Sequence, residues 1–163
     1  MKLKLIPYIL VLIIIMTGCS KESTLIYSAP TNEQIVEYVS DNELAALDSI
    51  WIKDSAIILL KNSLITLYSD QHGKLHDHKL SWASNSKDVI TVGDGVPYIA
   101  VIIPNDLLDK GSKNINLKYS DGTIESRGIN DKKGLLVSSI GQARVQDISI
   151  SNSLGEEIYN KSR

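Results

Sequence analysis

The sequence contains no phenylalanine and a single cysteine, Cys19, among its 163 residues. One cysteine cannot form an internal disulfide, so the stability of the folded chain must come from its apolar core. Because phenylalanine is missing, most of the core volume has to come from isoleucine, leucine and valine. Trp51, Trp82 and seven tyrosines are the remaining large apolar side chains.

Sequence motifs for catalysis are also lacking. The chain has no G-x-S-x-G, no S-x-x-K accompanied by its partner motifs, and no H-E-x-x-H. It has no G-x-x-x-x-G-K-S/T either, which removes the phosphate-binding loop of nucleotide-hydrolysing proteins. A pair of glycosidase-type carboxylates leaves no such motif and stays open as an alternative. We predict a non-catalytic protein with no catalytic residues.

The first nineteen residues have the order of an export signal. Lys2 and Lys4 precede an apolar run over residues 5–16, and small residues then lead through Gly18 into Cys19. A basic region, a short apolar region and small residues before a cut are typical of a secretory signal. The segment resembles a bacterial lipoprotein signal peptide, with residues 16–19 (Met-Thr-Gly-Cys) as its lipobox.

This resemblance implies cleavage between Gly18 and Cys19 and a diacylglyceryl group on the sulfur of Cys19. Residues 1–18 are then a helical signal peptide, residues 19–30 a lipidated tether and residues 31–163 the folded domain. A first strand over residues 25–27 is the alternative for the end of the tether. The resemblance places the domain on the outer, extracytoplasmic face of a bacterial cell membrane. Stable anchoring needs more than one acyl chain, and the diacylglyceryl group meets that requirement. Membrane lipid is the predicted partner of Cys19.

A retained spanning helix and a core helix are the alternatives to an export signal. Spanning a bilayer takes roughly 20 apolar residues, whereas residues 5–16 supply twelve, with Pro7 and Tyr8 among them. A core helix would have to be apolar on every side while lying directly between two lysines and the polar residues 20–24. The signal peptide fits the pattern better than either alternative.

The charge of the remaining chain argues against nucleic acid as a partner. Removing residues 1–18, with Lys2 and Lys4, from 17 basic and 19 acidic side chains leaves 15 basic and 19 acidic, a formal charge of −4. Nucleic acids and anionic lipids attract proteins of the opposite sign. The 145 residues that remain are enough for one domain with a real core.

One or two short helices are predicted at the start of the domain. Thr31 and Gln34 have the spacing of a capping box. The apolar residues that follow fall on one helical face: Ile35, Val36 and Val39. A second short turn is predicted over residues 43–47, and a strand over residues 35–39 is the alternative.

From residue 49 onward, short β-branched runs separated by turns predict strands. They cover residues 50–52, 56–60, 64–68, 74–82, 88–92, 98–103, 115–119, 123–129, 135–140, 145–150 and 157–159. The runs over 56–60 and 98–103 are apolar throughout. The first is consistent with a strand buried on both faces, and the second is expected near the centre of a sheet. Asp121 and Gly122 predict a type I′ hairpin, and a change of parity near Gln146 predicts a bulge.

This strand spacing predicts a mainly-β fold, an antiparallel β-sandwich with one or two short N-terminal helices. Residues 98–159 combine an apolar strand, a one-turn connection over 104–111, the Asp-Gly hairpin and a closing strand after Ser-Leu-Gly-Glu-Glu. In these features the section resembles the immunoglobulin-like β-sandwich domains of bacterial surface proteins.

All three histidines lie within seven residues: His72, His76 and His78. On a strand, His76 and His78 point to one face about 7 Å apart. With His72 reaching back from the turn, the three imidazoles could ligate Zn²⁺ or Cu²⁺. Because Trp82 continues the same face, we favour histidines that pack beside it and bond to backbone or water. No metal cofactor is predicted, and Zn²⁺ is the alternative.

Oxygen-bearing side chains in the predicted loops are a second metal candidate, for Ca²⁺: Asp88, Asp94, Asn105, Asp106 and Asp109. They lack the spacing of an EF-hand loop, and Asp and Asn are common turn residues. We therefore interpret them as turn residues.

Trp51 and Trp82 are the candidate residues for binding. Two indoles could form a stacking platform for a sugar or a peptide. The alternative, which we favour, is that one or both anchor the core.

The sequence therefore predicts a membrane-anchored extracytoplasmic lipoprotein with a non-catalytic binding or structural role at the cell envelope. Its predicted partner, besides lipid, is an envelope protein or glycan. The alternative is a small extracytoplasmic hydrolase or metal-binding protein that uses the segment from His72 to His78.

Overall fold

The computed structural model describes residues 26–83, 88–93, 97–138 and 144–162. The strands are β1 Tyr27–Ser28, β2 Asp48–Ile52, β3 Ser55–Leu59, β4 Ser63–Asp70, β5 Leu75–Ser81, β6 Ile90–Val92, β7 Tyr98–Ile102, β8 Ser112–Tyr119, β9 Ile124–Gly128, β10 Gly134–Ser138, β11 Val145–Asn152 and β12 Glu157–Ser162. The helices are α1 Asn32–Asp41 and α2 Asn105–Asp109. All strand pairings among these residues are antiparallel, which confirms the mainly-β, antiparallel prediction.

Sheet A contains the first five strands, with β2, β3, β4 and β5 joined as successive hairpins. Ser69 of β4 pairs with Leu75 of β5 on one side and with Ser28 of β1 on the other. Strand β1 is therefore on the β3 side of β4. Because β3 ends its pairing at Leu67, β1 continues the line of β3 beyond the β2–β3 turn.

The later strands form two further sheets. Sheet B has the order β10-β7-β6, and sheet C has the order β12-β11-β8-β9. The predicted bulge in β11 is confirmed, because the pairing of β11 with β8 shifts register between Val145 and Asp147.

Strand β7 is buried on both faces and separates two cores. Ile99 and Val101 belong to a cluster with β8 and β11 of sheet C. Ala100, between them, packs with Ile57 and Leu59 of sheet A. On the other face of sheet A, α1 covers a third and smaller cluster. The layers therefore follow the order α1, sheet A, sheet B, sheet C.

The strands form three sheets, one more than a two-sheet sandwich has. Both strands predicted to be apolar throughout explain the extra layer. Residues 56–59 of β3 and 99–101 of β7 are all buried. A strand that is apolar on both faces needs a covering layer on both sides.

Sheets A and B meet at two residues that suit close approach. The Asp48 carboxylate of β2 accepts a hydrogen bond from the backbone N–H of Leu136 at 2.9 Å and pairs with Lys132 at 2.9 Å. It thereby satisfies a donor on the outer side of β10. Gly134 leaves no room for a side chain, because a Cβ there would lie 2.9 Å from methyl carbons of both Leu47 and Leu59.

Helix α1 begins at the predicted capping box. The Thr31 hydroxyl accepts from the Gln34 N–H, and the Gln34 side chain accepts from the Thr31 N–H. Ile35 is buried against sheet A, but Val36 is 60% exposed, so the prediction that it shares this face is wrong. Residues 43–47 form no second helix. No helix among the described residues is long and apolar enough to cross a membrane.

The hairpin at Asp121-Gly122 is confirmed, but its turn is not type I′. A type I′ turn needs positive φ at both central residues, and Gly122 has φ +86° while Asp121 does not have positive φ. The N–H of Gly122 bonds to the carbonyl of Tyr119, so Gly122 follows a type I turn. The Asp121 carboxylate, which accepts from the N–H of Thr123 at 2.9 Å, favours this shape.

Candidate functional site

The turn between β4 and β5 is built around the carboxylate of Asp70. One of its oxygens accepts hydrogen bonds from the N–H groups of His72 and Lys74 at 2.8 and 3.0 Å. The other oxygen is 2.9 Å from Nε2 of His76. Gly73 closes the turn with φ +79°. The carboxylate thus ties the turn to the adjacent strand.

These hydrogen bonds stabilise the charged form of Asp70. The hydrogen bond from His76, helped by the N–H groups of His72 and Lys74, lowers the pKa of Asp70 to about 2. The residue is 8% exposed, so a carboxylate without these partners would be costly there. The pair of Asp70 and His76 is therefore a structural element of the hairpin and uses one imidazole nitrogen.

Two tyrosine rings pack beside this pair on one face of sheet A. The ring of Tyr68 is nearly parallel to that of His76, with centroids 5.7 Å apart. Tyr27 of β1 meets Tyr68 edge-on at 4.8 Å. Such edge-to-face contacts are favourable beyond the area that they bury. Together they attach the short strand β1 to the body of the sheet.

Beside these rings lies an open hollow of about 360 Å³. Its lining residues come from β1, β4 and the β2–β3 turn: Tyr27, Ile52, Lys53, Asp54, Ser55 and Tyr68. Lys53 has φ +49°, a left-handed conformation that is uncommon for a residue with a side chain. The Ser55 hydroxyl donates to the carbonyl of Ile52 at 3.0 Å and closes the turn.

The three histidines are placed differently. His76 and His78 point to the same face of β5, because they pair with Tyr68 and Thr66 of β4. His72 is exposed in the turn, where its ring nitrogen lies 3.3 Å from the Gln71 amide. In the part of the chain that the structure describes, no group of three or more His, Cys, Asp or Glu side chains is arranged to hold a metal.

The two tryptophans have different surroundings. Trp51 is 47% exposed, and its indole N–H donates to the carbonyl of Pro30 at 3.1 Å. Trp82 is half-buried and packs against the cluster between sheets A and B, with no acceptor for its indole N–H among the described residues. Trp51 pairs with Ala56, whose side chain lies in the cluster under α1. Because this pairing puts Trp51 on the α1 face of sheet A and Trp82 packs on the opposite face, each indole has to be considered alone.

Among the described residues, the candidate Ca²⁺ ligands form no group that could hold a metal. Asp88 accepts from the N–H of Val89 and from the hydroxyl of Tyr159, and it pairs with Lys161. The Lys161 ammonium and the Tyr159 hydroxyl lower the pKa of Asp88. Asn105, Asp106 and Asp109 are exposed on α2, and Asp94 lies outside the described residues.

The outer face of sheet C carries polar side chains in cross-strand rows. Asn116 pairs with Ser149, and its amide donates to the Ser149 hydroxyl at 3.4 Å. In the next row Lys118 lies 3.4 Å from the carboxylate of Asp147. Hydrogen bonding to Ser162 and then to Lys118 lowers the pKa of Asp147. These rows line a hollow of about 350 Å³ with the remaining members Ile124, Asn160 and Ser162.

Comparison with known proteins finds no relative of this chain. No family model, no curated protein and no solved structure matches the chain. The predicted signal peptide over residues 1–18, the cleavage site at Gly18 and the lipidation site at Cys19 lie outside the described residues. Lipidation therefore stays a prediction from the sequence.

Sequence reasoning missed Asp70, Tyr68 and Tyr27 as partners of His76. Two of them could have been found from the hairpin register. If Asp70 and Lys74 close the turn, Tyr68 falls opposite His76, and Asp70 follows two residues later on the same face. No comparable signal was available for Tyr27, because β1 has only two residues and pairs with a strand forty residues later.

Proposed function

We propose that this chain is a bacterial lipoprotein, cut before Cys19 and held on the extracytoplasmic face of the cell membrane by a diacylglyceryl thioether. The Met-Thr-Gly-Cys motif at residues 16–19 is the observation that carries the proposal. The start of β1 at Tyr27 supports it, because only a short tether then separates Cys19 from the folded chain.

Labelling with palmitate in a bacterial host tests the anchor. The full-length chain should take up label and sediment with membranes, and Cys19→Ala should lose the label and the mass of the lipid. Ser20→Ala, a change at the neighbouring small residue, should keep both. Equal membrane association of the Cys19→Ala protein, with no change in mass, would contradict lipidation and favour a retained apolar anchor.

We propose that the domain binds an envelope component without catalysis, and that the outer face of sheet C makes the contact. Its rows combine amides, hydroxyls, an ammonium and a carboxylate beside the exposed side chain of Ile124. Hydroxyl-rich glycans are recognised by such a set of groups, because amides and hydroxyls donate and accept hydrogen bonds, an ammonium donates and a carboxylate accepts. An envelope protein is the alternative partner.

Cosedimentation with purified cell-wall glycan tests this role. The domain should be pelleted by the glycan, and the double variant Asn116→Ala, Ser149→Ala should be pelleted less. Leu154→Ser, in the exposed β11–β12 turn, is the matched control and should bind as the parent does. Turnover of the glycan, or equal binding of all three proteins, would contradict the proposal.

We also propose an immunoglobulin-like arrangement for β7–β12. Sheets B and C share one buried cluster, and this supports a two-sheet sandwich within the larger set of layers. Strand β7, the one-turn helix α2 and the β8–β9 hairpin are its first members in chain order.

A hydrolase or metal-binding protein that uses His72, His76 and His78 is the second candidate. The pair of Asp70 and His76 is the observation in its favour, since a carboxylate commonly orients an imidazole that acts as a base or a ligand. Titration of the protein with Zn²⁺ tests it. Binding at tens of micromolar that is lost in His76→Ala would support a metal site, and absence of binding would exclude it.

A further inference from the structure

Three exposed apolar side chains lie at the end of sheet A where the chain enters the fold. Ile26 is 68% exposed, Trp51 is 47% exposed and Tyr27 is 39% exposed. Strand β1 continues the line of β3 beyond the β2–β3 turn, so Tyr27 and that turn are neighbours. They line the same hollow, in which Ile52 is the residue next to Trp51. We call Ile26, Tyr27 and Trp51 the tether-side patch.

The composition of this patch suits a lipid–water interface. Trp51 presents a half-exposed ring while its N–H is already satisfied by the carbonyl of Pro30. Tyrosine and tryptophan are enriched at the headgroup level of membranes, because one end of each ring is apolar and the other is polar. Tyr27 and Trp51 lie on opposite faces of sheet A, so they flank the end of the sheet that carries Ile26.

The length of chain before Ile26 limits how far the patch can be from the anchor. Seven peptide units join Cys19 to Ile26, and a fully extended chain of that length spans at most about 25 Å. If Cys19 is lipidated, this end of sheet A is therefore kept within reach of the headgroups.

Because the tether is short, even a weak affinity of the patch for lipid is enough to keep the patch on the membrane. Joining two interacting groups through a short linker raises their effective concentration to the millimolar range, so modest contacts are occupied for much of the time. The formal charge of −4 removes electrostatic attraction to anionic lipid as the cause. The contact would depend on the apolar and aromatic side chains themselves.

We propose that the tether-side patch docks on the lipid surface and holds the domain end-on to the membrane, with Tyr27 and Trp51 at the headgroup level. This inference rests on the proposed lipid anchor at Cys19. In this orientation, the end of sheet A that carries β1 and the β2–β3 turn points to the bilayer. The occupant of the patch is the neutral lipid interface.

Fluorescence quenching can test the contact, because Trp51 and Trp82 are the only two tryptophans. The mature lipidated protein, which begins at Cys19, is reconstituted in phosphatidylcholine vesicles, with and without brominated acyl chains, as the variants Trp82→Phe and Trp51→Phe. The protein that keeps Trp51 should lose at least half of its emission in brominated vesicles, as expected of a ring at the interface. The protein that keeps Trp82 should be unaffected.

A second variant keeps the test decisive if Trp82→Phe fails to fold. In brominated vesicles the parent, which keeps both tryptophans, should be quenched more than Trp51→Phe. The double variant Ile26→Ser, Tyr27→Ser, with both tryptophans present, should be quenched less than the parent. Leu154→Ser, in the exposed β11–β12 turn of sheet C, is the control and should leave quenching unchanged.

Flotation of the vesicles separates the two ways in which the result could be negative. If the protein does not float with the vesicles, Cys19 is not anchored and the proposed function fails. If it floats but Trp51 stays unquenched and accessible to aqueous iodide, the anchor holds and the docking proposal is overturned. The patch would in that case be available to an envelope protein.

Discussion

The chain before residue 83 and the chain after residue 88 use their buried residues differently. The later strands, with α2, place fourteen buried apolar residues in one cluster. Helix α1 and sheet A share a cluster of only five. The other face of sheet A places Ile57, Leu59 and Leu64 in a separate cluster that it shares with sheet B. A single large core thus stabilises the later region, whereas the first region divides its buried residues between two smaller clusters.

Truncation of a side chain in each cluster should give the largest difference. Leu117 of β8 is fully buried in the larger cluster, and Leu117→Ala should lower the free energy of unfolding by about 4 kcal/mol. Ile35→Ala, under α1, should lower the free energy of unfolding by about 2 kcal/mol. The cost is smaller because the surroundings of this smaller cluster can partly close the cavity that the truncation leaves. Urea denaturation measures both. An equal cost would contradict the contrast between the two regions.

The contact between the regions can be disturbed at Gly134. A methyl group there would lie 2.9 Å from carbons of Leu47 and Leu59, so Gly134→Ala should destabilise the protein by about 1–3 kcal/mol through overpacking. Gly128→Ala is the matched control, since its methyl group would meet only the side chain of Asn130 at 3.4 Å. Thermal denaturation of the two variants should differ clearly.

The sequence predicted the positions of the strands better than the order in which the sheets stack as layers. Short β-branched runs and turn residues indicated β2–β12 because these signals are local. The apolar runs also indicated that β3 is buried on both faces and that β7 lies near a sheet centre, but not which sheet would cover each face. The contact of Asp48 with Leu136 joins residues 88 positions apart, and no local pattern encodes it.

The candidate site was predictable to a similar extent. Alternation along β5 correctly put His76 and His78 on one face. The carboxylate that binds His76 was missed, because Asp70 stands directly before the turn residues 71–73, where aspartate is common. Trp51 is exposed, whereas Trp82 is half-buried. The two side chains are identical, so this difference depends on the layer that covers each one.

Acid titration should show what the hairpin carboxylate contributes to the first region. Because the pKa of Asp70 in the folded protein is about 2, below its ordinary value of 3.8, its stabilising effect is complete above about pH 4. It is lost as the pH falls from 4 towards 2. Asp70→Asn should therefore be less stable than the parent at pH 6, and the two should converge near pH 2.

Urea denaturation at each pH measures this convergence. Asp131→Asn is the control, since it changes an exposed carboxylate that pairs with Lys113 on the surface, and exposed pairs contribute little. A constant difference between Asp70→Asn and the parent from pH 6 to pH 2 would mean that the carboxylate charge is not what stabilises the turn.

The smallest expected loss of stability is at the N-cap of α1, and a variant there can test whether the two regions unfold together. Thr31→Ala removes the hydroxyl that accepts from the N–H of Gln34 and should cost about 1 kcal/mol, whereas Thr31→Ser keeps the acceptor and should cost less. Hydrogen exchange then locates the effect. If α1 opens independently of the large core, only its own amides lose protection in Thr31→Ala. If the amides of β8 and β11 exchange faster by the same factor, the layers unfold as one unit, and the difference in core size does not divide the molecule into separately stable parts.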